Sequence, residues 1–390
     1  MPRFSRLRPK YLALGFMVSG SLLSGAAPMA ALARSPTVYA IGVDNAGPPG
    51  HVFEYVDFFP RDGVKVAAGD VLDFSWNTSA QDGAHTATFL TKGMGLPPLA
   101  IPEPNGDEAG LQFNPDLLAP SDPTCGSSAT NPCVFDGTKV VNSGFIFNSN
   151  PTPPYASDFY VALDSKLLQG GSSVEVPFVC EVHPGMAGSV TLVSDARETT
   201  TIQTAQDKAA SQLVDDTKGA LNAEKSANNK PFVGHNLNGT SDITVTAGTA
   251  TSFVEVVEML PNVVTIKQGD TVNWVTKTIR DPHTVTFPRG PGSDSVDPIP
   301  AFCETQSGDT RPSADGPPCA NPASFELHLL PQPLGTQVIS DTSTIGSSGV
   351  IGSTKDGFPD NFSFTFPNAG TFDYMCRIHD HMVGTIVVRP

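Results

Sequence analysis

Apolar and polar residues alternate in short bursts along most of this chain, and Gly, Pro, Asn or Asp punctuates the bursts. Val64 and Val66 precede the turn Gly69-Asp70, and Val71 and Leu72 follow it. Val264 and Ile266 precede Gly269-Asp270, and Val272 follows. Near the end, SFTF, FDYMC and GTIVV form three more bursts, joined by PNAG and by a short loop. Period-two alternation of β-branched residues with frequent turn residues predicts antiparallel strands packed as sandwiches. One stretch departs from this pattern. Between residues 198 and 230, Ile202, Ala205, Ala209, Leu213, Ala220 and Leu221 fall loosely on one helical face, which predicts a helix.

The bursts occur twice, in the same order. GAHTATF, containing His85, matches DPHTVTF, containing His283. Ser143-Gly144-Phe145-Ile146 matches Ser348-Gly349-Val350-Ile351, and Cys180 matches Cys376. The Gly-Asp, His, Ser-Gly and Cys landmarks are offset by 200, 198, 205 and 196 residues, so order is kept and drift is small. This is the signature of a tandem duplication of about 150 residues. The expected architecture is all-β: a first sandwich over residues 34–196, a partly helical linker over 197–239, and a second sandwich over 240–390.

The first 33 residues read differently. Arg3, Arg6, Arg8 and Lys10 precede an apolar run, and Ala31-Leu32-Ala33 closes it. A basic start, a short apolar stretch and an A-x-A site predict a secretory signal peptide cut after Ala33, hence a periplasmic or secreted protein. No later segment is apolar enough to span a membrane. The formal net charge is −16, and loss of the four leader cations leaves 19 − 39 = −20. Such a chain repels nucleic acid and anionic membranes and attracts basic partners. With 36 Gly, 36 Pro and only 16% charged residues, the composition agrees with a turn-rich β protein.

Six cysteines divide into two kinds. Cys125/Cys133 and Cys303/Cys319 are close pairs in Pro-rich polar segments, and in an exported protein they predict two local disulfides. The other two sit in matching loops. FVCEVHPGM places Cys180, His183 and Met186 three apart, and Cys376, His379 and Met382 repeat the spacing. A thiolate, two imidazoles and a long, weak thioether make up the ligand set of a blue-copper electron-transfer site. Each loop supplies all but one imidazole. His85 and His283 are the candidates for the missing ligand, because each heads a strand at the same place in the repeat. A site closed by residues 95 and 93 positions apart requires the His strand and the Cys strand to be neighbours.

A Gly-Asp turn, an upstream His, then aromatic-x-Cys-x2-His-x2-Met-x-Gly resembles the cupredoxins of the plastocyanin/amicyanin-like kind, and the short loop is similar to that of amicyanin. The resemblance covers roughly residues 37–194 and 240–390. It implies a Greek-key β-sandwich with one type 1 copper per copy. The ligands would be His85, Cys180, His183 and Met186 in the first copy, and His283, Cys376, His379 and Met382 in the second. It also implies outer-sphere electron transfer with a redox protein such as a cytochrome or another oxidoreductase. The His-to-Cys intervals are longer than in single-domain members, so each copy holds an insertion carrying a cysteine pair, at a place suited to cover the copper end. Two other readings follow from the same ligands: a copper enzyme related to two-domain nitrite reductases or multicopper oxidases, and a copper-holding protein. Histidine usage argues against the enzyme. An oxidase holds a trinuclear cluster with His-x-His pairs, and only His51, His235, His328 and His381 remain once the copper ligands are assigned. His379-Asp380-His381 is the single His-x-His, and alignment of Met-x-Gly in the two copies sets His381 opposite Gly185, outside the ligand set. Cys180 is flanked by Val179 and Glu181, so the His-Cys bridge of the reductases is missing as well.

Overall fold

Each Gly-Asp turn ties a strand to the chain segment before it. In the computed structural model Gly69 and Gly269 take φ of 84° and 85°, the left-handed region that glycine enters without steric cost. The carboxylate that follows is buried and doubly satisfied. Asp70 accepts from the amides of Thr37 (2.8 Å) and Ala67 (2.9 Å), and Asp270 from those of Ser241 (2.7 Å) and Lys267 (2.8 Å). These bonds set Val38–Val43 parallel to Val71–Trp76, with Val38 opposite Val71, and Asp242 opposite Thr271 in the second copy. The structure describes residues 34–76, 85–98, 100–102, 111–114, 117, 119–146, 157–183, 185–228, 233–237, 239–289, 334–344, 346–376, 379 and 381–390.

Among the described residues the fold is all-β apart from one long helix and short 3-10 turns, with sheets stacked as cupredoxin-like sandwiches. In the first copy one sheet runs Phe58–Phe59, Val38–Val43, Val71–Trp76, Asp158–Leu163, Cys133–Phe135. Its partner runs Val141–Asn142, Thr88–Phe89, Ser173–Val179, Ala187–Val193, Val64–Ala67. The second copy repeats the central neighbours of both. Thr271–Lys277 lies between Ser241–Ala250 and Asn361–Thr365, and Gly370–Met375 lies between Val383–Arg389 and Thr286–Phe287.

The cores repeat as well. Phe74 meets Phe178 edge-on at 5.0 Å and Phe89 at 5.8 Å; Trp274 meets Tyr374 at 5.1 Å and Phe287 at 5.9 Å. Each such pair adds about 0.5–1.5 kcal/mol beyond its buried area. Gly188 lies opposite Phe178, and Gly384 opposite Tyr374, on the neighbouring strand. The ring of each aromatic residue occupies the space a Cβ would take.

The two copies share a sheet. Residues 53–59 form two short strands: Phe58–Phe59 pairs with Val38–Val43 of its own copy, while Phe53–Tyr55 pairs antiparallel with Val254–Val256 of the other. The helix Ile202–Asn228 covers the back of this joint. Ala205 and Ala220 are buried, and Ala209, Leu213 and Leu221 pack on Phe53, Tyr55, Phe59 and Val254. Ile202, expected on the same face, is 38% exposed, so the buried stripe begins nearer Ala205. Polar contacts fix the helix at its middle. Gln212 donates to Asp57 and to the carbonyl of Phe58 (2.7 Å each), Tyr55 meets Thr217 (2.7 Å), and Arg61 lies 3.1 Å from Asp57 and 3.2 Å from Asp216.

Cys125 and Cys133 form the expected disulfide, and Cys133 starts the strand that widens the first sheet. Cys303 and Cys319 lie outside the described residues. His51 is half-buried and pairs with Glu224 at 2.7 Å; His235 is exposed.

Substituting Gly384 or Gly188 by Ala would push a Cβ into a fixed ring. Overpacking of this kind costs about 1–3 kcal/mol. Chemical denaturation of the metal-free protein should show each variant with a lower midpoint and an unchanged slope; an unchanged midpoint would contradict the packing described.

Candidate metal centres

The two strands that carry the candidate ligands are neighbours, as the sequence requires. Val179, just before Cys180, pairs with Thr88; Met375, just before Cys376, pairs with Thr286. On its other side the His segment is held by the repeated Ser-Gly-x-Ile. His85 and Ile146 exchange backbone bonds (3.2 and 2.7 Å), as do His283 and Ile351 (2.8 Å both ways). The Ser143 hydroxyl accepts from the amide of Ala87 (2.8 Å) and donates to the Gly144 carbonyl; Ser348 does the same for Val285 (2.8 Å) and Gly349. The sharp turn that permits this needs φ of 64° at Gly144 and 65° at Gly349. Each Cys loop closes on itself. The amide of Cys180 donates to the Met186 carbonyl (2.9 Å), and that of Cys376 to Met382 (2.8 Å).

In the first copy, Cys180 Sγ lies 3.8 Å from His85 Nδ1 and 3.7 Å from His183 Nδ1. In the second, Cys376 Sγ lies 3.7 Å from His379 Nδ1, and His283 Nδ1 completes the group. Consider a first-row ion at the centre of a trigonal set of two nitrogens and one sulfur. Bonds of about 2.0–2.1 Å to nitrogen and about 2.3 Å to sulfur then place nitrogen and sulfur about 3.8 Å apart. The nitrogen pairs are closer, 2.9 Å and 3.1 Å. Both sulfurs are fully buried, and the amides of Thr86 (3.4 Å) and Thr284 (3.3 Å) donate to them. Met186 and Met382 are buried in the same apolar clusters as the cysteines.

Burial holds all four imidazoles neutral. It depresses His85 to about 3 and His379 to about 4, and holds His183 and His283 well below the ordinary histidine range. A neutral ring offers its lone pair without first losing a proton. Burial also pushes the Cys180 thiol up, against the pull of the Thr86 amide. A cation at the pocket reverses that balance, because a coordinated thiol ionises. The donor chemistry therefore fits copper of the type 1 kind.

Sequence reasoning missed what lies behind the rings. His85 Nε2 meets Asp44 at 3.3 Å, and His183 Nε2 meets Glu54 at 3.2 Å and Asp281 at 3.7 Å. Carboxylate oxygens of Glu54 and Asp281 and a ring nitrogen of His379 lie within 4.8 Å of one another. Burial raises Asp44 well above the usual carboxylate range, Asp281 to about 6 and Glu255 to about 8. The ring edges of His183 and His379, 8% and 7% exposed, thus face carboxyl groups drawn from both copies. The insertions are expected to cover the copper ends; large parts of them lie outside the described residues, and among the described residues the carboxyls of Glu54 and Asp281, one from each copy, lie against these edges. His381 is exposed and outside the donor group, as aligned.

The two groups differ behind the upstream histidine. Strand registers make Asp44 (φ 60°) the counterpart of Gly248 (φ 73°). Where Asp44 holds His85, the His283 ring occupies the space that a Cβ at position 248 would take, and His283 Nε2 has no hydrogen-bond partner among the described residues.

No protein-family model and no curated protein matches the sequence. Among solved structures the chain is similar to auracyanin A, a "blue" copper protein from Chloroflexus aurantiacus, with 18% identity over 39% of this chain and 100% of that one (TM-score 0.22). It is also similar to a reduced auracyanin from Roseiflexus castenholzii, with 17% identity over 40% and 100% (TM-score 0.22). Amicyanin from Paracoccus versutus aligns with 18% identity over 41% and 93% (TM-score 0.19). The fold is cupredoxin-like by its strand order.

A Cβ at position 248 would overlap the His283 ring. Gly248→Ala should therefore abolish or strongly weaken metal binding by the second group and leave the first intact. Copper titration of the variant, with Cys180→Ser and Cys376→Ser chains as single-group references, checks this; equal effects on both groups would contradict it.

Proposed function

We propose that this is an exported electron carrier with two type 1 copper ions, one held by His85, Cys180, His183 and Met186, the other by His283, Cys376, His379 and Met382. On this reading residues 1–33 are a cleaved leader, residues 34–196 and 240–390 are the two copper-binding domains, and residues 197–239 link them. The observation that carries it is the double convergence of a buried thiol and two neutral imidazoles, at matching places in a duplicated sandwich, with the amides of Thr86 and Thr284 on the sulfurs.

Copper would supply a one-electron couple. The chain supplies the rest. The Ser-Gly clamps and the self-closed Cys loops hold the donors in place across a redox change, which keeps reorganisation small. Burial of every donor keeps water and substrates from the metal, a property suited to outer-sphere transfer and unsuited to substrate turnover. Among the described residues no helix is long and apolar enough to cross a membrane. The partner would be a redox protein, such as a cytochrome or another oxidoreductase, and the formal charge of 19 − 39 = −20 left after loss of the leader favours one with a basic docking face.

Metal analysis of the loaded protein should give two coppers per chain with an intense blue absorption. Cys180→Ser should remove one chromophore and spare the other. Mixed with a basic c-type cytochrome, the reduced protein should transfer electrons at a rate that falls with added salt. One copper per chain, loss of both bands in the single variant, or steady nitrite or oxygen turnover would overturn the reading.

A further inference from the structure

We propose that Glu54, together with Asp281, is a positioning residue common to both metal centres; the inference rests on the copper reading above. Its place in the fold is unusual. Gly42 pairs with Phe59 and Thr246 with Leu260, so Glu54 and Glu255 are counterparts in the duplication. They are also direct partners across the strand pair that joins the copies. A local two-fold axis therefore passes between two buried glutamates, 1% exposed each.

The two side chains break that symmetry. Glu255 turns toward its own copy, accepting from Thr278 Oγ1 (2.7 Å) and from the amides of Ile279 (3.3 Å) and Arg280 (3.0 Å). It thereby shapes the turn that delivers Asp281 to the joint. Glu54 turns toward the rings. It stands 3.2 Å from His183 Nε2, 3.9 Å from His85 Nε2, and hydrogen-bonds Asp281. Asp281 is 3.7 Å from His183 Nε2, and both carboxyls lie within 4.8 Å of His379. Arg280, 3.8 Å from Glu255, is the guanidinium beside this group, and Asp44 faces it from the first copy.

In both loops Nδ1 is the nitrogen that faces the sulfur. A ring bound to metal through Nδ1 carries its proton on Nε2, and that proton needs an acceptor. A carboxylate there fixes the ring plane and raises the basicity of the ligand nitrogen. In most such sites one acceptor serves one ligand. Here a single carboxyl pair faces the C-terminal histidine of each centre, so one substitution reaches both metals.

The test uses the full copper-loaded chain in Cys376→Ser and Cys180→Ser backgrounds, each leaving one centre to be read. Glu54→Gln keeps the shape and removes the charge. It should raise the reduction potential of the first centre in one background and of the second in the other, each by about tenfold in the oxidised-to-reduced ratio at fixed potential. The copper hyperfine pattern in electron paramagnetic resonance should change in both. Asp44→Asn, which touches His85, should shift the first centre more than the second. If Glu54→Gln does not fold, Asp281→Asn is read in the same way. A shift confined to one centre, or seen in neither, would overturn the proposal while leaving the copper reading intact. A parent protein that binds no copper would be recognised before any variant is made, and would remove both.

Discussion

Everything at the candidate metal centres depends on one backbone contact made twice: the strand that leads into Cys lies beside the strand that follows His. Val179 against Thr88, and Met375 against Thr286, bring together residues more than ninety positions apart. The remaining devices serve that contact. The Ser143 and Ser348 hydroxyls occupy amides beside the histidines, the left-handed glycines after them allow the close approach, and the three aromatic residues packed behind the strands in each copy hold the register. A one-residue slip would turn every ligand to the wrong face.

The second constraint is electrostatic. Asp44, Glu54, Glu255 and Asp281 are buried together, with Arg280 as the nearby guanidinium. Burying an unpaired carboxylate is costly enough that the group tends to neutralise instead, which is the direction burial gives Asp44, Glu255 and Asp281. The apolar seal around them imposes that cost. The helix laid over Phe53, Tyr55 and Val254 closes one side, and the sandwich cores close the others. Cations held by the two donor groups would favour the charged carboxyls. On this account the joint between the copies and the metal chemistry stabilise each other.

Much of this was legible in the sequence. The Cys-x2-His-x2-Met spacing and the duplicated His pointed to the two cysteines and four histidines that the structure brings together, because ligand chemistry restricts residue types and the repeat removes coincidence. The helix over Ile202–Asn228 was visible from its apolar spacing, although its packing against the joint was not; spacing reports a face and not its partner. The repeat also marked Ser143-Gly144 and Ser348-Gly349, without their role as clamps. The carboxyl layer was invisible. Asp44, Glu54 and Asp281 are single acidic residues in an acidic chain, and nothing local distinguishes a buried one. A register alignment setting Asp44 opposite Gly248 would have hinted at it, since a polar residue replaced by glycine at a left-handed position marks a site where backbone and side chain compete for one space.

The central claim is that each donor group holds one copper through one sulfur and two imidazoles. X-ray absorption at the copper edge of the fully loaded protein tests it most directly. The account predicts, averaged over the two ions, one short copper–sulfur bond and two imidazole nitrogens per copper, with no exchangeable water ligand. Copper bound only by nitrogen and oxygen, or a water-accessible coordination position, would contradict it.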